Sequence, residues 1–337
     1  MEMIRAAYRT DDRVFLKRVE LPPLGDGQIR VGVDACGVCG TDLHVQPEQK
    51  GREVRMTGHE VAGKILKLGG GVTGLTVGEQ IVLDSATPCG RCQNCRNARQ
   101  ELCTDVKSFF YLGSFGFSEE MIAPAICAIP YSGLTPAVAC LQEPLGVAID
   151  LVRLSDVGTD SNVLVMGGGP IGLMAAALVR RAGARRVFLS ELGSRPARCE
   201  LARAFGMDDV VNPENTALTE CDFGCAIDRV LVTSPPRSLP DAFAVAAKGC
   251  IVSFIGIEHG KGAFCTFDAN AFHFKKLQLR ASFASPALFG PRALSYLREG
   301  IVNGDAIVSH RFALDDIDKA VQTARGPDAI KVVITTA

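Results

Sequence analysis

The segment from Ser161 to Glu191, SNVLVMGGGPIGLMAAALVRRAGARRVFLSE, constrains the fold more than any other part of the chain. Val163 to Met166 is a short apolar run suited to a parallel strand buried on both faces. GGGPIG follows at once, then a helix-like stretch from Leu173 to Arg181 and a second strand-like run from Arg186 to Ser190. A lone G-x-G-x-x-G says little. Strand, glycine turn, helix and strand in that order, with Glu191 lying 22 positions past Gly169, predict a dinucleotide-binding unit. Gly167 permits the tight turn, Gly169 lets backbone approach a pyrophosphate, and Gly172 allows close packing of helix on strand. The pyrophosphate then rests on the helix N-terminus, where unpaired N–H groups and the dipole favour an anion. Glu191 is expected to bond the adenosine ribose hydroxyls and to repel a 2′-phosphate, which favours NAD over NADP.

Further strand-like runs at Ala226–Thr233, Cys250–Ile255 and Lys276–Ala281 alternate with helical patterns at Ala197–Phe205 and Leu239–Ala247. This alternation predicts an α/β fold with a Rossmann-type, doubly wound parallel sheet. The N-terminal part reads differently, as short β-rich runs at Gln28–Asp34, Val61–Leu68 and Gln80–Leu83 with Pro/Gly turns between. At 337 residues the chain suits about two domains.

Thirteen cysteines is an odd number, and MEMIRAAYRTDDRVFL lacks the basic start and apolar run of a signal peptide. Both features argue for reduced thiols and a cytoplasmic protein rather than a disulfide framework. The longest apolar run, Val163 to Val179, is broken by Gly167–Pro170 and reads as strand entering helix, not as a membrane span. Lys plus Arg (36) nearly cancels Asp plus Glu (37), so no bulk field draws nucleic acid or an anionic membrane.

Four of the thiols are clustered. TPCGRCQNCRNARQELC places Cys89, Cys92, Cys95 and Cys103 in the pattern C-x2-C-x2-C-x7-C, which can wrap one zinc tetrahedrally. Iron–sulfur spacings differ in detail, and a nucleic-acid-binding zinc ribbon finds no second finger in a neutral chain. A closed thiolate set leaves no coordination position for substrate, so this centre is scaffolding. Upstream, CGVCGTDLH (Cys36 to His44) and GHEVAG (Gly58 to Gly63) supply Cys39, His59 and Glu60. One sulfur, one nitrogen and one oxygen with an open position is the composition of a catalytic zinc site. Asp42 is placed to accept the second ring N–H of His59 and so orient it.

GHEVAGKILKLGGGV (Gly58 to Val72) matches the signature G-H-E-x2-G-x5-[GA]-x2-[IVSAC], and the four-cysteine spacing accompanies it. Over essentially its whole length the chain resembles the medium-chain zinc-dependent alcohol dehydrogenases, in particular the polyol (sorbitol) and threonine branch. EPLGVA (Glu143 to Ala148) resembles the segment that brings a further zinc-proximal group in that branch, where ethanol-type members carry cysteine. The resemblance implies a GroES-like catalytic domain from 1–150 and 285–337, enclosing a Rossmann coenzyme domain from 151–284. It implies two zincs per subunit, one held by Cys39 and His59 with Glu60 or Glu143 ligating directly and the other carboxylate acting through a water. It also implies a proton relay through Thr41 and His44, and a homotetramer or homodimer. Relatives commonly show D-x4-R-x3-A-x3-G after the second strand. Here Arg198, Ala202 and Gly206 keep the later spacing, Glu191 lies two residues too far upstream, and Arg195 and Arg198 soften the rejection of NADP.

The implied reaction is hydride transfer between NAD and a secondary alcohol or ketone, with Glu143 pointing to a polyol, sugar or cyclitol. A threonine 3-dehydrogenase-like enzyme is the alternative, and a catalytically silent NAD- and zinc-binding regulatory protein is the reading from another class. Two features mark the pocket: the short loop from Val45 to Thr57, and the phenylalanine-dense SFFYLGSFGFSEE (Ser108 to Glu120). Phenylalanines of this kind either wall a site or pack a core under a loop. His259, His273 and His310 lack ligand-like neighbours and are read as loop or packing residues.

Overall fold

Along β3 (Gln28–Gly37) residues alternate between half-buried and buried as far as Asp34, and from Ala35 to Gly37 every residue is buried. A strand that changes from one-sided to two-sided burial passes from sheet surface into the interior of its fold. The computed structural model that shows this describes residues 2–44 and 49–336; residues 45–48 of the loop 45–57 lie outside it. Preceding β3 are β1 (Met3–Arg9) and β2 (Val14–Glu20), an antiparallel pair. After it come β4 (Val54–Arg55), β5 (Glu60–Leu68), β6 (Gln80–Leu83), β7 (Glu120–Pro124) and β8 (Ala128–Pro130).

Six parallel strands follow: β9 (Asn162–Met166), β10 (Arg186–Ser190), β11 (Asp209–Val211), β12 (Arg229–Val232), β13 (Ile251–Phe254) and β14 (Gln278–Ala281). Their order is β11-β10-β9-β12-β13-β14, reversing direction at β9 as a doubly wound sheet does. The expected strands near Ala226, Cys250 and Lys276 are β12, β13 and β14, and the expected helices form at Pro196–Ala204 and Leu239–Val245. Leu164, Phe188, Val230 and Val252 fill the core of this unit. Burying each such side chain contributes roughly 1.5–3 kcal/mol.

The chain closes with β15 (Val308–Ala313) and β16 (Lys331–Thr335). Both join the first part, in a seven-stranded sheet ordered β15-β16-β3-β5-β6-β8 with β7 also on β3. Here Ile29, Val31, Ile65 and Met121 share one core with Ile317 and Val321 from the C-terminal helix Ile317–Arg325. The chain thus divides into two units, Met1–Gly146 with Ala284–Ala337, and Val147–Phe283. Among the described residues no helix is long and apolar enough to cross a membrane.

Candidate active site

Cys39 sits where β3 ends and a 3-10 turn, Gly40–Leu43, begins. Asp42 reaches back along that turn and its Oδ2 accepts the backbone N–H of Cys39 at 2.9 Å. Its other oxygen accepts the Thr57 hydroxyl at 3.0 Å, and Arg9 donates to the Asp42 carbonyl at 2.7 Å. The loop bearing Cys39 is thereby tied to the segment leading into His59. Asp42 reaches His59 as a charge, while its carboxylate oxygens serve Cys39 and Thr57. Thr41 and His44 are exposed at the two ends of the same turn.

One donor atom each from Cys39, His59 and Glu60 lies within 4.8 Å of the others. Glu143, in the first turn of the helix Gln142–Leu154, lies outside that group but within electrostatic reach of His59. Burial works against a charged imidazole at His59, yet Cys39, Glu143 and Asp42 outweigh it and hold the ring well above its ordinary pKa. Burial pushes the Glu143 carboxyl up to about 7, opposed by His59 and reinforced by Glu60. Sulfur, nitrogen and oxygen donors gathered with two further carboxylates fit a divalent zinc with an open position.

The four-cysteine lobe is tighter. All four sulfurs lie within 4.8 Å of one another, and Cys92 Sγ is 3.9 Å from Cys103 Sγ. Zn–S bonds of about 2.3 Å place tetrahedral sulfurs about 3.8 Å apart. Backbone N–H groups of Cys92 and Arg91 point at Cys89 Sγ, at 3.3 and 3.5 Å, and those of Cys89 and Asp105 at Cys103 Sγ. Donors so aimed stabilise thiolates, and backbone N–H groups hold the Cys92 thiol down at about 5. Gly90, at φ +70°, makes the turn between the first two cysteines.

In the parallel unit, Gly167 has φ +102°, and a Cβ there would meet Thr233 and Ser234 at 2.8–2.9 Å. A Cβ on Gly172 would stand 1.9 Å from the Gly167 carbonyl oxygen, so the helix Pro170–Arg181 approaches the loop only because that residue is glycine. Gly169 caps the helix, with open space above it as far as the Arg198 guanidinium, 4.0 Å from an added Cβ. Glu191 follows β10 directly. Its Oε2 accepts the Gly168 N–H at 2.8 Å and lies 3.5 Å from Arg198 Nη1, and Oε1 accepts the Leu192 N–H. The acidic residue therefore braces the glycine loop and is partly neutralised by Arg198.

Residues 25–133 match the family model for the alcohol dehydrogenase GroES-like domain, and residues 170–295 match that for zinc-binding dehydrogenases. The chain belongs to the zinc-dependent medium-chain alcohol dehydrogenases. It is 32% identical to L-threonine 3-dehydrogenase of Pyrococcus horikoshii, over 94% of each chain, and 28% identical to L-idonate 5-dehydrogenase of Vitis vinifera, over 93% of this chain and 89% of that one. Among solved structures it resembles a zinc-binding dehydrogenase from Sinorhizobium meliloti bound to NADP, with a TM-score of 0.87, 26% identity, and coverage of 99% of this chain and 100% of that one.

The phenylalanine-dense stretch of this dehydrogenase divides between the two expected roles. Phe109 and Phe117 are fully buried in the core. Phe110 instead sits 6.1 Å, centroid to centroid, from the His59 ring and 5.9 Å from Phe115. Arg55 covers Phe115 in turn, 5.5 Å from its centroid. Of the remaining histidines, His310 stacks on Phe312 beside Ser309. Two participants in the centre were not read from the sequence: Gly37, whose absent Cβ leaves room for the Glu60 carboxylate, and Lys331, which pairs with it. Gly37 lies within CGVCGTDLH but faces Glu60 only through the pairing of β3 with β5, and Lys331 lies in no motif and arrives through the pairing of β16 with β3.

Proposed function

We propose that this dehydrogenase oxidises a secondary alcohol, reversibly, on a polyol, sugar or cyclitol. The observation that carries the reading is the Cys39–His59–Glu60 donor group with Glu143 beside it, where ethanol-type members have cysteine. Cys39 and His59 hold the catalytic zinc together with one carboxylate, and Cys89, Cys92, Cys95 and Cys103 hold a structural zinc. When bound, zinc polarises the substrate hydroxyl and the nicotinamide takes the hydride from the carbinol carbon. Thr41 and His44, both exposed, pass the hydroxyl proton outwards to water. Phe110 offers an apolar wall next to His59, and Asp42 keeps the Cys39 loop in place.

NAD is the coenzyme, bound over Gly167, Gly169 and Gly172 by the domain spanning 151–284, with residues 1–150 and 285–337 forming the catalytic domain. Arg198 offsets part of the Glu191 charge, so discrimination against NADP is modest, and reduction rates with the two coenzymes test it. A threonine 3-dehydrogenase is the second reading, supported by the Pyrococcus relative. NADH formation against sugar alcohols, inositols, aldoses, threonine and simple secondary alcohols separates the two. Turnover confined to threonine would replace the main reading, and no turnover with two zincs and NAD bound would sink both.

The protein assembles as a homotetramer or homodimer in the cytoplasm, where thirteen reduced cysteines persist. β14 ends the parallel sheet, and Leu279 on it with Phe274 and Phe283 beside it is exposed, which suits pairing with a second copy. Light scattering that returned a monomer would refute assembly.

A further inference from the structure

The 3-10 turn Gly40–Leu43 carries Thr41, and His44 closes it. So short a turn leaves its last carbonyls without partners of its own. Two arginines from distant parts of the chain fill them. Arg9 Nη1, from β1, donates to the Asp42 carbonyl at 2.7 Å and to the His44 carbonyl at 3.2 Å. Arg325 Nη2, from the last residue of the C-terminal helix, donates to the Leu43 carbonyl at 2.7 Å. For Arg9 taken alone this is unfavourable. It is 5% exposed, its Nε is buried without an acceptor, and Arg325 repels it. The carboxylates that attract it, those of Asp42 and Asp11, are bonded instead to Cys39, Thr57 and Gly51. Sequences break local rules of this kind chiefly at functional sites.

Thr41 and His44 line one cavity of about 140 Å³, with Arg9 in its wall. Cys39, by contrast, hangs on β3, whose end is fixed by Val38 N donating to Val332 O at 2.9 Å. We propose that Arg9 and Arg325 are positioning residues for proton transfer, which fix the carbonyls of the turn and so the places of Thr41 and His44, while β3 itself retains Cys39. The proposal rests on the relay reading of Thr41 and His44 given above. Misplacing a proton-transfer group by about 1 Å costs up to roughly 100-fold in rate, so the anchoring of three carbonyls is open to measurement.

Hydrogen exchange and steady-state kinetics on the zinc-loaded enzyme test this together. The amides of Cys39 and Asp42 are bonded within the turn, at 2.9 and 3.0 Å, so their exchange reports its opening. In Arg9→Met they should exchange about tenfold faster, with zinc content as in wild type. With the fastest substrate of the series above, kcat should fall by about 10–100-fold with a smaller change in KM. Added imidazole, a soluble proton acceptor, should restore much of that rate. Arg9→Lys should recover most of it without imidazole. Arg325→Met, at an exposed position, should show the same pattern more weakly, and this arm stands if Arg9→Met fails to fold. Turn exchange as in wild type, a rate loss that tracks zinc loss, or a lowered rate that imidazole leaves unchanged overturns the assignment of the arginines alone. Wild-type turnover in Thr41→Val and His44→Gln, or no turnover of any substrate in the series, overturns the relay reading and the assignment with it.

Discussion

The four-cysteine lobe draws every donor from Cys89 to Cys103, fifteen positions, whereas the Cys39 centre gathers side chains from near residues 39, 59, 143 and 331. The lobe orders its sulfurs with its own backbone N–H groups. The centre is ordered by strand pairing, by Asp42 bridging Cys39 to Thr57, and by Lys331. A closed local clip is suited to stability. A site assembled from distant segments surrounds its donors with charges tuned by burial, the setting in which catalytic groups are commonly found.

The largest expected effect separates the two centres outright. Cys39→Ser should lower turnover by about a thousandfold or more, equivalent to roughly 4 kcal/mol of barrier, while thermal unfolding stays close to wild type. Steady-state kinetics beside a melting curve checks both halves, and an active Cys39→Ser enzyme would break the division of labour. Cys92→Ser should do the reverse, lowering Tm on the order of 5–10 °C or dissociating the assembly. Stability and assembly both unaffected in that variant would end the scaffolding role of the lobe.

Smaller effects sharpen the picture of the catalytic centre. Glu143→Ala should reduce zinc occupancy or turnover by roughly 10–100-fold, and unchanged zinc content with an unchanged rate removes Glu143 from the site. Asp84 supports that helix, accepting from the Gln142 amide at 2.7 Å, and burial pushes its carboxyl up from 3.8 to about 6. A raised acid pKa means the folded state holds the proton more tightly. Its stabilising contribution is therefore full below pH 3.8 and declines as pH rises to about 6. Asp84→Asn should flatten that dependence by one to three kcal/mol, on the order of two pKa units. Denaturant melts at pH 4 and pH 7 measure it, and an equal slope in both proteins would show that Asp84 does not contribute.

Legibility followed the range of the interactions. Cys89 to Cys103 and Gly167 to Gly172 could be read because each motif makes its chemistry from neighbours in the chain. β6 and β10 have the expected ends, since an apolar run bounded by turn residues leaves little choice of register. Asp42 was expected to orient His59, but its oxygens go to Cys39 and Thr57, a preference set by how the 3-10 turn meets the strand that follows. Glu191 was expected to wait for a ribose, and in the folded chain it also braces Gly168 and meets Arg198. Spacing names the residues that can act together, but it cannot say which of several acceptors a carboxylate will choose.

The linear chain by itself determined the family, the parallel sheet with its glycine turn and the clustering of the four thiols, because each shows as a pattern of near neighbours in the sequence. Tertiary structure alone decided the place of Phe110 beside His59, the space over Gly37 and the pairing of Lys331 with Glu60. The space over Gly37 depends on the pairing of β3 with β5, and the place of Lys331 on antiparallel register between β16 and β3, strands almost three hundred residues apart. A register of that range is set by the packing of the whole core, and no local pattern in the residues encodes it.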